Sequence, residues 1–406
     1  MGNRNLTLIQ FSDFGLGRGL YITHAFSSLG LDVTILTNKP VYSSNKQSQR
    51  NLDIKAKVTE VRIPFVEILH ESTIGKLIVY VIFTFLSFIQ LLTVKPEILY
   101  SRGPQPFTEI TCLLYKKLRR KVKIISDITD LWPDALEYIT LDRVIKSTLI
   151  FLGNAINEII YSRLDMIVTH NELMAEVLRK RSQRPVYVLQ GVLDLVKFRP
   201  MEKGGIILSQ QILDFVKDRF VVLYAGLLGL FQNPYILTDL AEALPKEDIN
   251  DVVVLVVGNG PLKDDLERKA KEAPLHNIKF VERVPHEEMV YFYNAADVCL
   301  LLYAPIDFLA IGLPKKFIEY AACGKPIICV SPPCIASSLC LTHKAGFHIE
   351  SSTEAISQII KTILKLKKDA NLRNTMARNS RSMAEELFSL EHGAGILETV
   401  IKEVQG

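Results

Sequence analysis

The sequence predicts an α/β protein made of two Rossmann-like, doubly wound domains facing across a cleft. Three observations point there. Short apolar runs alternate with helical stretches along the chain, the order expected of parallel strands covered by helices. In the second half those runs are continuously apolar instead of alternating, which marks strands buried on both faces. At roughly 100–200 residues per domain, 406 residues leave room for more than one full core.

The first half opens on the strand Leu6–Phe11, then Gly15-Leu16-Gly17-Arg18-Gly19, a helical stretch to Leu29, Gly30 as its stop, and a strand at Asp32–Thr37. Further strands read at Glu97–Tyr100, Val122–Ser126, Met166–Thr169 and Val186–Leu189. The polar stretch Met201–Gly205 reads as a linker, after which the alternation restarts. Strands follow at Phe220–Tyr224, Val252–Val257, Ile278–Val281, Val298–Tyr303 and Pro326–Val330, and amphipathic helices at about Thr353–Lys368 and Ala384–Val404 close the chain. The expected partition is 1–200, 201–385, and a terminal helix over 386–406 returning to the first domain.

Composition removes several classes. Lys and Arg exceed Asp and Glu by 48 to 44, a net charge of +4, and aromatics are 8%. Disorder and fibrous repeats are excluded, and the charge is too mild and too scattered for a nucleic-acid binder. Nothing at the N-terminus reads as an export signal, and the six cysteines form no CxxC pair, so reduced core thiols in the cytoplasm are expected. A mean hydropathy of +0.19 is high for a soluble enzyme, and much of the excess lies in Leu77–Leu92, flanked by Lys76 and Lys95. Sixteen residues with Thr84, Ser87 and Gln90 interspersed fall short of a bilayer span. An ordinary core helix is expected; docking of this segment on the inner face of an anionic membrane is the alternative.

Three loops carry chemistry. Ligands of such sheets sit at the carboxyl ends of strands, where glycines admit a phosphate and helix N-termini favour negative charge. Gly15–Gly19 follows the first strand, and no ribose-binding acid follows the second, which ends at Thr37-Asn38-Lys39. Val257-Gly258-Asn259-Gly260-Pro261 joins a strand directly to a helix. In Ala310–Pro326, a glycine and a proline lead into Lys315, Lys316 and a helix carrying Glu319 among apolar residues; the ammoniums suit a diphosphate and the carboxylate suits ribose hydroxyls.

Together these residues resemble glycosyltransferase family 4, the retaining nucleotide-sugar transferases of GT-B fold. The resemblance rests on Tyr224-Ala225-Gly226, Gly229 and Gln232, on the Gly258–Pro261 turn, on Asn277–Val281 with Val284-Pro285, on Tyr293–Val298, and on Pro314–Ile327. In the first half, Asp127-Ile128-Thr129-Asp130-Leu131-Trp132-Pro133 is similar to a loop of the branch that builds surface polysaccharides. The resemblance implies sugar transfer from a UDP- or GDP-linked donor to a hydroxyl of a glycan or polyprenyl-linked acceptor, with no cofactor or metal; consistently, no Asp-x-Asp occurs. It implies that Lys316 holds the diphosphate, Glu319 the ribose, Gly312 and Leu313 offer backbone amides, and Arg283 and Val284 line the base. Gly226, Gly229, Gln232, Gly258, Asn259, Gly260 and Pro261 would shape the donor pocket. Gly15, Gly17 and Arg18 would reach the donor from the first domain, with Asp127, Asp130 and Trp132 on the acceptor side. Lys316, Glu319 and Asp130 are the catalytic candidates; Asp130 could equally cap a helix beginning near Pro133.

The sequence also departs from that pattern. Ile311 stands where the family has an acid, and Leu227 and Gln232 where it has cations. Thr129 replaces a frequent histidine, and Gln190–Asp194 carries one extra residue in an Asn-Gly-Val-Asp element. Those losses keep open a catalytically silent, scaffold-type reading, whereas the retained Lys316 and Glu319 favour the enzyme.

Overall fold

The structure is a computed structural model that describes residues 5–13, 18–39, 56–63, 73–103, 106–130, 132–133, 142–247, 249–306 and 312–405. The chain divides into two compact units, residues 1–192 with 390–406, and residues 193–389.

Unit 1 is built on a parallel sheet of order β3-β2-β1-β4-β5-β6-β7. Its strands are β1 (Asn5–Asp13), β2 (Asp32–Lys39), β3 (Ala56–Glu60), β4 (Ile98–Arg102), β5 (Lys123–Ile128), β6 (Met166–Thr169) and β7 (Val186–Val188). The helices between them are α1 (Arg18–Ser28), α2 (Thr73–Val94), α3 (Phe107–Leu118), α4 (Arg143–Tyr161) and α5 (Glu172–Ser182). Leu6, Leu8, Leu99, Ile124, Ile125 and Ile167 are buried, as strands covered on both sides demand. β3 was not anticipated: an edge strand reading Ala-Lys-Val-Thr-Glu has no fully buried residue and lacks an apolar run.

Unit 2 repeats the plan with order β10-β9-β8-β11-β12-β13, again all parallel. The chain runs α6 (Gln210–Val216), β8 (Phe220–Ala225), α7 (Tyr235–Lys246), β9 (Val252–Val257), α8 (Lys263–Glu272), β10 (Ile278–Val281), α9 (Met289–Ala295) and β11 (Val298–Leu302). It continues through α10 (Lys315–Ala322), β12 (Ile327–Val330), α11 (Ile335–Thr342), β13 (Gly346–Ile349), α12 (Ala355–Lys368) and α13 (Ala370–Phe388). β13 also escaped the sequence reading, being only Gly-Phe-His-Ile. In each sheet the order reverses beside the first strand, so the switch points lie between β1 and β4 and between β8 and β11.

Two expectations shift. The amphipathic stretch Ala384–Val404 is not one helix: α13 stops at Phe388, Ser389 is extended (φ −66°, ψ 156°), and α14 (Leu390–Gln405) packs with α1 and β7 in unit 1. Unit 2 begins at Leu193, before the polar stretch at 201–205. Leu193 N–H donates to the Phe388 carbonyl (2.8 Å), and Arg381 donates to the carbonyls of Leu195, Phe198 and Ala322. These bonds tie residues 193–198 to α13.

The expectation of an ordinary core helix at Leu77–Leu92 fails. The helix is α2, 22 residues long, and by length and composition apolar enough to cross a membrane. Among its described residues only a narrow stripe, Gly75, Val79, Phe83, Ser87 and Leu91, is buried, with Phe83 and Tyr80 edge-on to Phe11 of β1. Thr84 and Thr111 exchange hydrogen bonds with backbone carbonyls across the α2–α3 seam. Leu77, Ile78, Val81, Phe85, Ile89 and Leu92 remain exposed. All six cysteines are free and buried.

Candidate functional site

At the switch point of unit 2, three loops meet through their backbones. Gly226 ends β8 with φ +133°, and Gly258 ends β9 with φ +149°, values that favour glycine. A Cβ on Gly258 would lie 1.9 Å from the Gly226 carbonyl oxygen, and one on Gly260 would lie 2.4 Å from that of Leu228. The close approach is held by Gly226 N–H to Val257 O (2.9 Å), Leu228 N–H to Asn259 O (3.0 Å) and Leu262 N–H to Leu228 O (3.1 Å). The Gly258–Pro261 turn therefore fixes the β8 loop by backbone contact. Asn259 and Lys263 both reach Glu282 beyond β10, which joins the turn to the segment carrying Arg283 and Val284.

Into this frame α10 brings Lys316 from its first turn. A Cβ on Gly226 would sit 3.1 Å from Lys316 Nζ, so the glycine makes room for the ammonium. Nζ is buried, has no hydrogen-bond partner among the described residues, and lies 4.1 Å from the centre of the Tyr224 ring. Burial lowers its pKa to about 7. Tyr224 is itself fixed, its hydroxyl donating to the Leu227 carbonyl (2.7 Å). Gln232 Oε1 is likewise buried without a partner, beside Gly229. Gly312 and Leu313 lead into α10 as half-buried backbone, while Ile311 lies outside the described residues.

Glu319, one turn further along α10, is buried and fully engaged. Oε2 accepts from the Tyr293 hydroxyl (2.5 Å); Oε1 faces His286 Nε2 (2.6 Å) and the Lys315 ammonium (3.4 Å). Lys315 Nζ is also 2.8 Å from His286 Nε2, which can donate to Glu319 or accept from Lys315 but not both at once. Burial alone would raise the Glu319 pKa; the His286 hydrogen bond, the Lys315 charge and Tyr293 outweigh it and hold the carboxyl below its ordinary range. The sequence reading missed Tyr293, Tyr224 and His286 as parts of this arrangement. Tyr293 precedes the Asn-Ala-Ala-Asp stretch already singled out, but no spacing rule ties it to a glutamate 26 residues later.

At the corresponding edge of unit 1, Arg18 opens α1 and Asp127 ends β5. Arg18 makes a bidentate pair with Asp127 (Nε–Oδ2 and Nη2–Oδ1, both 2.9 Å) and donates to the Leu189 carbonyl (2.5 Å). Arg102 Nε stands 3.4 Å from Asp127 Oδ2. Burial would raise the Asp127 pKa, but the two guanidiniums hold it low. Asp127 is thus a structural counter-ion and Arg18 is committed to it. Asp130 stands exposed beyond β5, its carboxyl recessed enough that desolvation raises its pKa against the pull of Arg102. A helix beginning near Pro133, which Asp130 could cap, would fall outside the described residues; the next described helix, α4, begins at Arg143 and is capped by Asp142 (Val144 N–H to Oδ1, 2.9 Å). The Trp132 carbonyl accepts from Asn157 of α4, and Gly153 lets Trp132 and Pro133 pack close. Gly15 and Gly17 lie outside the described residues. Among the described residues no group of three or more His, Cys, Asp or Glu could hold a metal ion.

The fold and these loops can now be set beside known proteins. HepE of Anabaena, in its crystal structure in complex with UDP, superposes with a TM-score of 0.72 at 15% identity, over 98% of this chain and 100% of that one; it has also been solved with UDP-glucose. Glycosyltransferase MJ1069 of Methanocaldococcus jannaschii, described as uncharacterized, is 22% identical over 282 residues, 68% of this chain and 67% of the relative. YtcC of Bacillus subtilis, also named as a glycosyltransferase, is 24% identical over 275 residues, 65% of this chain and 60% of the relative. Two parallel α/β units of this strand order are the GT-B fold that such solved structures share. Residues 207–383, all within unit 2, match the family model for glycosyl transferases group 1.

Proposed function

We propose that the protein transfers a glycosyl group from a UDP-linked sugar to a hydroxyl of a glycan or lipid-linked acceptor, with retention at the anomeric carbon. One observation carries this above the rest: at the start of α10, Lys316 holds a buried Nζ with no hydrogen-bond partner among the described residues, beside the side-chain-free Gly226. A cation left unpaired in a buried place is costly, and an incoming diphosphate supplies the missing charge. The complexes of HepE with UDP and UDP-glucose support a uridine donor.

In this mechanism the bond from the anomeric carbon to the diphosphate oxygen breaks as the acceptor oxygen attacks from the same face. The acceptor proton passes to the departing phosphate oxygen. Lys316 and the amides of Gly312 and Leu313 meet the charge that develops on the leaving group, which lowers the barrier more than it strengthens ground-state binding. Glu319 orients the ribose once the Lys315 ammonium yields its place, and Arg283 and Val284 flank the base. Asp130, with its raised pKa, is the acceptor-side group.

The test is UDP binding followed by UDP release. UDP at about a hundred times its Kd should stabilise the protein by about 2.7 kcal/mol in a thermal-shift measurement. UDP-glucose with a glycan or polyprenyl-phosphate acceptor should then release UDP, with EDTA having no effect. A protein that binds neither UDP nor GDP is the silent homologue instead.

A further inference from the structure

We infer that unit 1 docks on an anionic lipid bilayer through the outer surface of α2, α3 and α4. Fifteen of the twenty-two large apolar side chains left exposed among the described residues lie on these three helices. They include Val81 and Phe85 of α2, Leu114 and Leu118 of α3, and Phe151 and Leu152 of α4; Phe85 is 62% exposed and Phe151 72%. In α4 no side chain from Arg143 to Leu152 is buried. A contiguous apolar patch on a folded domain marks a surface that something covers. α2 packs along α3 and α3 against α4, so the three outer faces form one layer.

The charges around that layer identify the occupant. α2 contains no acid, and its one cation, Lys76, stands at its N-terminal end. The last turn of α3 and the residues after it read Lys116-Lys117-Leu118-Arg119-Arg120-Lys121, of which all but Lys116 are exposed; Lys116 is paired with Asp165. Lys117 shares a helix face with the exposed Leu114 and Leu118, one turn apart. Apolar faces edged by Lys and Arg are the signature of helices lying in a membrane interface, where each cation near an anionic surface adds about 1 kcal/mol. A second copy of the chain would bring the same cations against these, so like charge disfavours self-association. The face also serves in-plane docking better than crossing, because the stripe Val79, Phe83, Ser87 and Leu91 keeps α2 seated on the sheet.

The experiment needs no sugar, so it succeeds or fails independently of the transfer reaction. The full chain is sedimented with phosphatidylcholine vesicles, with and without about 30% phosphatidylglycerol. Binding should be strong on the anionic vesicles, weaker on the neutral ones, and weakened at about 0.5 M salt. Val81→Glu with Phe85→Glu, and separately Phe151→Glu with Leu152→Glu, should each cut the bound fraction's partition about tenfold or more. Leu341→Glu, an exposed apolar position (54%) in unit 2, should bind as before. Far-UV circular dichroism and the unfolding temperature confirm that the variants fold, since each changes side chains already in water. The proposal is overturned by wild-type protein that ignores anionic vesicles, by folded variants that bind equally, or by a lipid-free dimer that Phe85→Glu dissolves. Protein that resists alkaline carbonate extraction would also overturn it, since that marks a spanning helix.

Discussion

Both units place cations beside the switch points of their sheets, from opposite sides, and treat them in opposite ways. In unit 1, Arg18 and Arg102 surround Asp127, and the charge is settled within the protein. In unit 2, Lys316 reaches a comparable switch point and is given only a ring face and a glycine. A guanidinium paired bidentately is a structural clamp, whereas an unpaired ammonium is held in reserve for a ligand. The unit that leaves its cation unpaired is also the one that matches the glycosyl transferases group 1 model.

The largest effect should come from the frame that both treatments presuppose. Gly258→Ala places a Cβ against the Gly226 carbonyl and should leave unit 2 unfolded or destabilised by more than about 4 kcal/mol, read as insoluble expression or a lost thermal transition. Asp127→Ala, by stranding two buried guanidiniums, should cost about 3–5 kcal/mol, a fall in Tm of roughly 6–20 °C. Lys316→Met should do the reverse: Tm holds or rises, because no ion pair is broken, while kcat falls on the order of a hundredfold to a thousandfold. Equal losses of Tm in the Asp127 and Lys316 variants would erase the distinction between clamp and reserve.

The same lysine gives the contrast a proton signature. Its pKa near 7 in the folded chain lies below the unfolded value, so between about pH 7 and 10.4 the unfolded state binds more protons. The ligand-free protein therefore gains stability from this group as pH rises through that window, and UDP, which favours the charged form, removes the gain. Calorimetry at pH 8 in buffers of different ionisation enthalpy should show uptake on the order of one proton per UDP, absent in Lys316→Met. The smallest effect concerns Glu319. Tyr293→Phe removes one hydrogen bond to a buried carboxylate, about 1.5–3 kcal/mol. Because the Glu319 pKa lies below its unfolded value, that stabilisation exists above the unfolded pKa and fades as pH falls through the folded one. The variant should thus lose stability at neutral pH and less in acid.

The strands and the Gly258–Pro261 turn were legible because continuous apolar runs and glycines at strand ends have few other uses. β3 and β13 were not, since an edge position relaxes the demand for apolar residues and a four-residue strand offers little pattern. Lys316 and Glu319 stood out as charges in an apolar helix; what surrounds them did not, because Tyr293 and His286 reach Glu319 from 26 and 33 residues away. Arg18 was read as a ligand-facing cation, and its bond to Asp127, 109 residues distant, has no signature in a single sequence. For α2, composition alone could not decide between burial and exposure. A helix apolar on every face looks the same whether its outer side meets protein or solvent.

One consequence concerns the order in which the chain is made. Unit 2 is a single continuous stretch whose first and last turns are joined by the Leu193–Phe388 hydrogen bond, whereas unit 1 needs both ends of the sequence. On the ribosome the first 192 residues emerge with the α1 and β7 surfaces that α14 covers still bare. At roughly 5–20 residues per second, synthesis of unit 2 keeps them so for on the order of ten to forty seconds. Unit 2 can complete its fold in that interval, and the half with the apolar helices is closed last, when residues 390–405 arrive.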